Sequence, residues 1–121
     1  MKRALFICSQ NRLRSPTAEQ VFAGWPGVET DSAGISADAE VLLSTEQLAW
    51  ATVIFVMEKA HRRKLASKYP RQLKDKQVIC LDIPDDYAFM QPELVQLLER
   101  KAGPFLRTGA AAIRRGVMEQ D

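Results

Sequence analysis

The apolar run Ala4-Leu5-Phe6-Ile7-Cys8, the polar stretch Ser9-Gln10-Asn11-Arg12-Leu13-Arg14 and the pair Ser15-Pro16 follow one another without a break. A short, uninterrupted apolar run reads as a strand buried on both faces, the kind found in parallel sheets. Serine is favoured as a helix N-cap and proline at the first helical position, so a helix is expected to open at Ser15-Pro16. Ala18, Val21 and Phe22 give that helix an apolar side, and Trp25-Pro26-Gly27 closes it. The chain therefore begins as strand, polar loop, helix.

Outward from this unit the alternation continues. Residues 28–33 read as a second, weaker strand closed by Gly34. Ser44-Thr45-Glu46-Gln47 has the spacing of a capping box and opens a short helix carrying Leu48 and Trp50. Val53-Ile54-Phe55-Val56-Met57 is the clearest buried strand. Residues 58–69 read as a strongly basic helix with Leu65 on its inner side. Residues 77–83 form another strand, 84–88 a loop, and Pro92 opens a last helix with Leu94, Leu97 and Leu98 on one face. Gly103-Pro104 is expected to break or kink it. Buried strands alternating with helices predict an α/β fold, a parallel sheet with helices on both faces. Residues 1–107 read as a single domain, and 108–121 as a frayed C-terminal extension.

Composition agrees and narrows the class. At 121 residues the chain is one domain's worth. With 46% hydrophobic and 26% charged residues it is neither a disordered tail nor collagen-like. Two cysteines, Cys8 and Cys80, are too few for a disulfide scaffold and favour a reducing, cytoplasmic setting. No apolar stretch is long enough for a membrane span, and the run after Lys2-Arg3 is too short for a signal peptide. A net charge of +2 does not argue for nucleic acid.

The chemistry is concentrated around Cys8. In open parallel sheets ligands bind at the carboxyl ends of strands, and both Cys8 and the loop 84–88 lie at such ends. A loop entering a helix N-terminus makes an anion site. Arg14 adds a planar, permanently charged fork suited to two phosphate oxygens. A thiol in that field favours its anionic form, and Ser15 can donate to the sulfur. The pattern points to a nucleophile aimed at phosphorus. The plain alternative is a cysteine buried as a small hydrophobe.

The stretch Cys8-Ser9-Gln10-Asn11-Arg12-Leu13-Arg14-Ser15-Pro16-Thr17-Ala18-Glu19 resembles the phosphate-binding loop of the low-molecular-weight protein tyrosine phosphatases, which carry Cys, five residues, Arg and Ser. Thr30-Asp31-Ser32-Ala33-Gly34, Ile54-Phe55-Val56-Met57-Glu58-Lys59 and Ile83-Pro84-Asp85-Asp86-Tyr87 resemble further family motifs, in order. The resemblance implies a three-layer sandwich with sheet order 2-1-3-4. It implies Cys8 as nucleophile, Arg14 holding the phosphoryl oxygens, and Asp85 as general acid. Ser9, Gln10, Asn11, Arg12, Leu13 and Ser15 would form the loop around phosphate. Ser32 would support Asn11, and Tyr87 would wall the substrate. Asp82, which ends its strand, and Asp86 compete with Asp85 for the acid's role. No cofactor and no metal are expected. The expected partners are a phosphorylated protein or a small aryl phosphate, with phosphate or another oxyanion in the loop and neither membrane nor nucleic acid.

Several positions depart from the family pattern. Gln10 stands where a glycine is usual, which puts strain at that backbone position in question. Leu13 replaces a second loop cysteine, so an intraloop disulfide cannot form. The stretch 35–43 is short and holds no aromatic residue, which suggests an open cleft. Cys80, in a predicted buried strand, reads as inert packing. The basic band of Lys59, His61, Arg62, Arg63, Lys64 and Lys68, continued by Arg71, Lys74 and Lys76, reads as a solvated helix face whose first residues can rim the pocket. A phospho-binding module with weak catalysis is the alternative function.

Overall fold

The structure, a computed structural model, describes residues 1–107. The expectation for 108–121 lies outside the described residues. Strands β1 (Lys2–Cys8), β2 (Val28–Gly34), β3 (Val53–Val56) and β4 (Gln77–Cys80) alternate with helices α1 (Arg14–Phe22), α2 (Thr45–Trp50), α3 (Lys59–Lys68) and α4 (Pro92–Leu106). All strand pairs are parallel and the sheet order is β2-β1-β3-β4. This is the α/β sandwich expected from the sequence.

β1 is central, and its side chains alternate between two cores. Ala4, Phe6 and Cys8 face a core shared with Ala18 and Phe22 of α1 and Leu94 and Leu98 of α4. Leu5 and Ile7 face the opposite core, with Leu48 of α2 and Leu65 of α3. Period-two alternation with both faces covered is why the strand is apolar throughout. Phe6 stacks between Phe22 and Phe55, at ring-centroid distances of 5.6 and 5.0 Å. Burying such a ring contributes about 1.5–3 kcal/mol. Because the strands are parallel and in register, Cys8, Gly34, Val56 and Cys80 all lie at one edge of the sheet.

Four local expectations are corrected. First, α1 begins at Arg14, with Leu13 as N-cap, and Ser15 does not cap it. The Ser15 hydroxyl lies 2.9 Å from the Cys8 sulfur instead. Pro16 still fits, because the first four helical N–H groups have no partner inside the helix. Second, β4 ends at Cys80, because Asp82 takes a left-handed backbone (φ 53°). The chain nevertheless stays beside β3, since Leu81 and Ile83 donate to the carbonyls of Val56 and Met57 at 2.9 and 2.8 Å. Third, β4 is an edge strand and Cys80 is only half-buried. Its Sγ lies 3.4 Å from the Asp82 carboxylate, and burial, partly offset by a hydrogen bond from the Asp82 backbone but reinforced by the Asp82 carboxylate, raises the thiol above its ordinary pKa. Fourth, Gly103-Pro104 does not end α4, which runs to Leu106. The carbonyl that Pro104 leaves without a donor belongs to Arg100, an exposed residue, where solvent can serve as donor. Gly103 packs closely: a Cβ there would stand 3.0 Å from the Trp25 ring, so the ring would have to shift slightly.

Candidate active site

Residues 8–14 leave the end of β1 and close into the N-terminus of α1. The sharp turn in this loop is made by Asn11, at φ 57°; Gln10 is not among the left-handed residues, so the strain in question at Gln10 is not there. Asparagine tolerates this conformation because its short side chain can bond locally.

That side chain is the hub of a directed chain of hydrogen bonds. Asn11 Nδ2 donates to Ser15 Oγ at 3.0 Å and to Ser32 Oγ at 2.9 Å, which uses both amide hydrogens. Ser32 then passes its own proton to Glu19 Oε1 at 2.5 Å. Ser15 Oγ, already accepting from Asn11, lies 2.9 Å from Cys8 Sγ and donates to the Ala33 carbonyl at 3.4 Å. The Asn11 backbone N–H donates to the sulfur at 3.2 Å. Against a thiolate, which only accepts, the Ser15 hydroxyl turns its proton to the sulfur, and two donors then favour the negative charge.

Arg14 is 3% exposed, and among the described residues only Nη1 of its guanidinium hydrogen-bonds to protein, which leaves Nη2 for a ligand. Its Nη1 donates to Glu58 Oε2 at 2.5 Å and to the Ile83 carbonyl at 2.8 Å, while its Nε lies 3.7 Å from Asp85 Oδ1. Glu58 pins the guanidinium from β3's end and Asp85 approaches from the loop after β4. A buried guanidinium without a carboxylate partner would be costly, so Glu58 both positions and neutralises it.

A further pair completes the loop. His61 Nε2 lies 2.9 Å from Ser9 Oγ. His61 Nδ1 accepts the Glu58 backbone N–H at 3.1 Å, within a capping box that opens α3. A ring nitrogen that accepts cannot carry the proton, so the proton sits on Nε2 and is given to Ser9. Burial, with Arg14 next in weight, pushes the imidazole below its ordinary 6.5, which keeps it neutral. Ser9's own hydroxyl proton is then left for another acceptor.

The cleft is lined by Cys8, Ser9, Gln10, Arg12, Leu13, Arg14 and Asp85. Asp82 lies elsewhere, in a depression with Glu58, Lys59, Arg63 and Pro84, and Asp86 lines neither. Tyr87, expected as a substrate wall, is not a lining residue: it packs, partly buried, against the core of α1 and α4. Leu13 is the only large apolar group in the lining and is 36% exposed. The short stretch 35–43 closes against the loop instead of forming a wall. Ser36 and Glu40 donate their N–H groups to the carbonyls of Ser9 and Gln10 at 2.9 and 3.0 Å. Gly34 makes this approach possible, because a Cβ there would stand 2.7 Å from the Ser9 carbonyl oxygen. Arg12 pairs with Glu40 at 3.3 Å and Gln10 with Asp38 at 3.0 Å, both at the exposed rim.

A family model described as low molecular weight phosphotyrosine protein phosphatase matches residues 3–84. The chain belongs to that family. It is a phosphatase of the low-molecular-weight, cysteine-based type. Solved structures of similar fold include the arginine phosphatase YwlE from Geobacillus stearothermophilus, at 26% identity and TM-score 0.70, covering 87% of this chain and 93% of that one. The tyrosine phosphatase Wzb from Escherichia coli K30, in complex with phosphate, is 20% identical with TM-score 0.69, covering 86% and 95%. The low molecular weight protein tyrosine phosphatase SP-PTP from Streptococcus pyogenes is 16% identical with TM-score 0.72, covering 91% and 96%. By sequence search, no curated protein matches the chain.

Three residues of this phosphatase site escaped the sequence reading. The sequence places Glu58 only within a family motif and His61 only on a basic helix face, although Glu-x-x-His directly after a strand has capping-box spacing. Glu19 was read only as part of the loop motif, and nothing local says that it meets Ser32.

Proposed function

We propose that the protein is a metal-independent phosphomonoesterase that acts through a phosphocysteine, with phosphotyrosine or another aryl phosphate as substrate. One observation carries this reading: Asp85 stands 3.7 Å from Arg14 Nε, in the same cleft as Cys8. A phosphoryl group bound by the guanidinium then has the sulfur on one side and a carboxyl group on the other.

In the first step the Cys8 thiolate attacks phosphorus, an S–P bond forms, and the P–O bond to the leaving group breaks. Asp85 gives its proton to the departing oxygen, which is otherwise a poor leaving group. Arg14 and the Ser9 hydroxyl hold the equatorial oxygens as charge builds on them. In the second step Asp85 takes a proton from water as the water oxygen attacks phosphorus. The S–P bond breaks, phosphate leaves and the thiolate returns. Ser15 and the Asn11 N–H support the sulfur when it carries charge. With Leu13 as the only large apolar residue in the lining, the cleft favours an ester that projects from a protein surface over one held between apolar walls.

The test is hydrolysis of p-nitrophenyl phosphate and a phosphotyrosine peptide in excess chelator. Turnover is expected to persist, and to vanish in Cys8→Ser while phosphate binding remains. Full activity in Cys8→Ser, or loss of activity on chelation, overturns the reading.

A further inference from the structure

Beside the cleft lies a second depression, lined by Ile35, Ser36, Ala37, Lys64, Ser67 and Lys68. It joins the phosphate loop on two sides. Ser36 donates to the Ser9 carbonyl at 2.9 Å, and His61, on the same helix as the two lysines, contacts the Ser9 hydroxyl. Residues three and seven positions apart share a helix face. Lys64 and Lys68 therefore continue the face that His61 turns toward the loop, about 4.5 and 10.5 Å further along the axis at 1.5 Å per residue.

The charges here are unbalanced. Among the described residues, neither Lys64 nor Lys68 forms an ion pair. The carboxylates of the neighbouring stretch are engaged elsewhere, Asp38 with Gln10 and Glu40 with Arg12. The depression offers two ammonium groups and two serines, and no carboxylate lines it. Such a surface attracts anions, and the Ser36–Ser9 hydrogen bond ties its wall to the phosphate loop.

We propose that this depression is an anionic subsite that reads acidic side chains flanking the phosphorylated residue of a protein substrate, with Lys64 and Lys68 as the specificity-determining groups. An extended peptide advances about 3.3 Å per residue, so the rise of about 6 Å between the two lysines matches acidic side chains about two positions apart. The proposal rests on the phosphatase reading for the placement of the phosphate.

Two measurements separate the two ideas. Binding of fluorescent phosphotyrosine peptides, one flanked by glutamates and one by glutamines, is measured by anisotropy on Cys8→Ser protein with native lysines and with Lys64→Glu/Lys68→Glu added. Turnover of p-nitrophenyl phosphate is measured on otherwise wild-type protein with and without the same lysine pair. The acidic peptide is expected to bind about five- to tenfold more tightly than the neutral one, as two partly screened ion pairs allow. The preference should be lost in the charge-reversed protein, kept in Lys64→Arg/Lys68→Arg, and weakened by salt near 0.5 M. Small-substrate turnover should change less than about twofold, since that substrate does not reach the depression.

Equal binding of the two peptides, or a preference that survives charge reversal, overturns the subsite. So does a short single-stranded RNA that displaces the acidic peptide at equal concentration, which would assign the lysines to nucleic acid. Absence of p-nitrophenyl phosphate turnover with the peptide preference intact sinks the phosphatase reading and leaves the subsite standing.

Discussion

His61 Nε2 lies 2.9 Å from Ser9 Oγ across 52 residues of chain, and it is the contact that joins α3 to the phosphate loop through side chains. Because Nδ1 of the same ring accepts from Glu58, the direction of the bond is determined, and Ser9 keeps its proton for the cleft. Removing one hydrogen bond to a charged ligand weakens binding by about 1.5 kcal/mol, roughly tenfold. Ser9→Ala and His61→Ala should each raise the inhibition constant of inorganic phosphate by about three- to tenfold. The double variant should be no worse than the weaker single. Multiplying effects in the double variant would show that the two side chains act separately.

The same histidine makes stability depend on pH. Its folded pKa is pushed below the ordinary 6.5, chiefly by burial. At pH values below 6.5 the unfolded chain therefore binds more protons than the folded one, and protonation drains stability from the folded state. The contribution is fully present above pH 6.5 and is lost as the pH falls toward the depressed folded value. Thermal unfolding at pH 7.5 and 5.5 should show a decline in the wild type that is smaller in His61→Gln. An equal decline in both would assign the pH response to other groups.

Asp85 and Asp82 make opposite predictions. Asp85 lines the cleft and approaches Arg14, whereas Asp82 lies in another depression. Asp85→Asn should slow phenyl phosphate hydrolysis by about 10²–10⁴-fold, the usual worth of a positioned acid. The loss should be smaller with p-nitrophenyl phosphate, whose leaving group needs less help. Asp82→Asn should leave both rates within about twofold. The reverse pattern would move the acid to Asp82.

Asn11 holds Ser15 and Ser32 with both amide hydrogens and turns the chain at φ 57°. Asn11→Ala removes both bonds and places a residue with no local bonding in a left-handed conformation. A destabilisation of about 2–3 kcal/mol is expected in urea unfolding. Asn11→Gly should recover the part due to the backbone, since glycine is free there. A glycine variant no more stable than the alanine variant would place the whole cost in the side-chain bonds.

Much of the molecule is legible from local pattern. β1 and β3 declare themselves because a strand covered on both faces must be apolar at every position. Cys8, Asn11, Arg14 and Ser15 are close in sequence, so the loop that gathers them is a local structure. What was misread lay where a side chain's partner comes from far away. Ser15 carries both a helix-cap signal and the reach to the Cys8 sulfur seven residues away, and only the second contact is made. Tyr87 looks like a cleft wall, and its ring packs, partly buried, against the core of α1 and α4. Cys80 reads as buried, yet pattern alone does not reveal that its strand is the edge of the sheet.

Local pattern is enough for the α/β alternation and the phosphate loop, and four short motifs in order are enough for the family. Each is set by short-range periodicity or by neighbours within a dozen positions. How that loop is armed depends on partners far apart in the chain. Glu58 reaches Arg14 across 44 residues, His61 reaches Ser9, and Glu19 reaches Ser32 across 13. Such contacts are set by which strand ends share the sheet edge, and parallel register, not local propensity, brings those ends together.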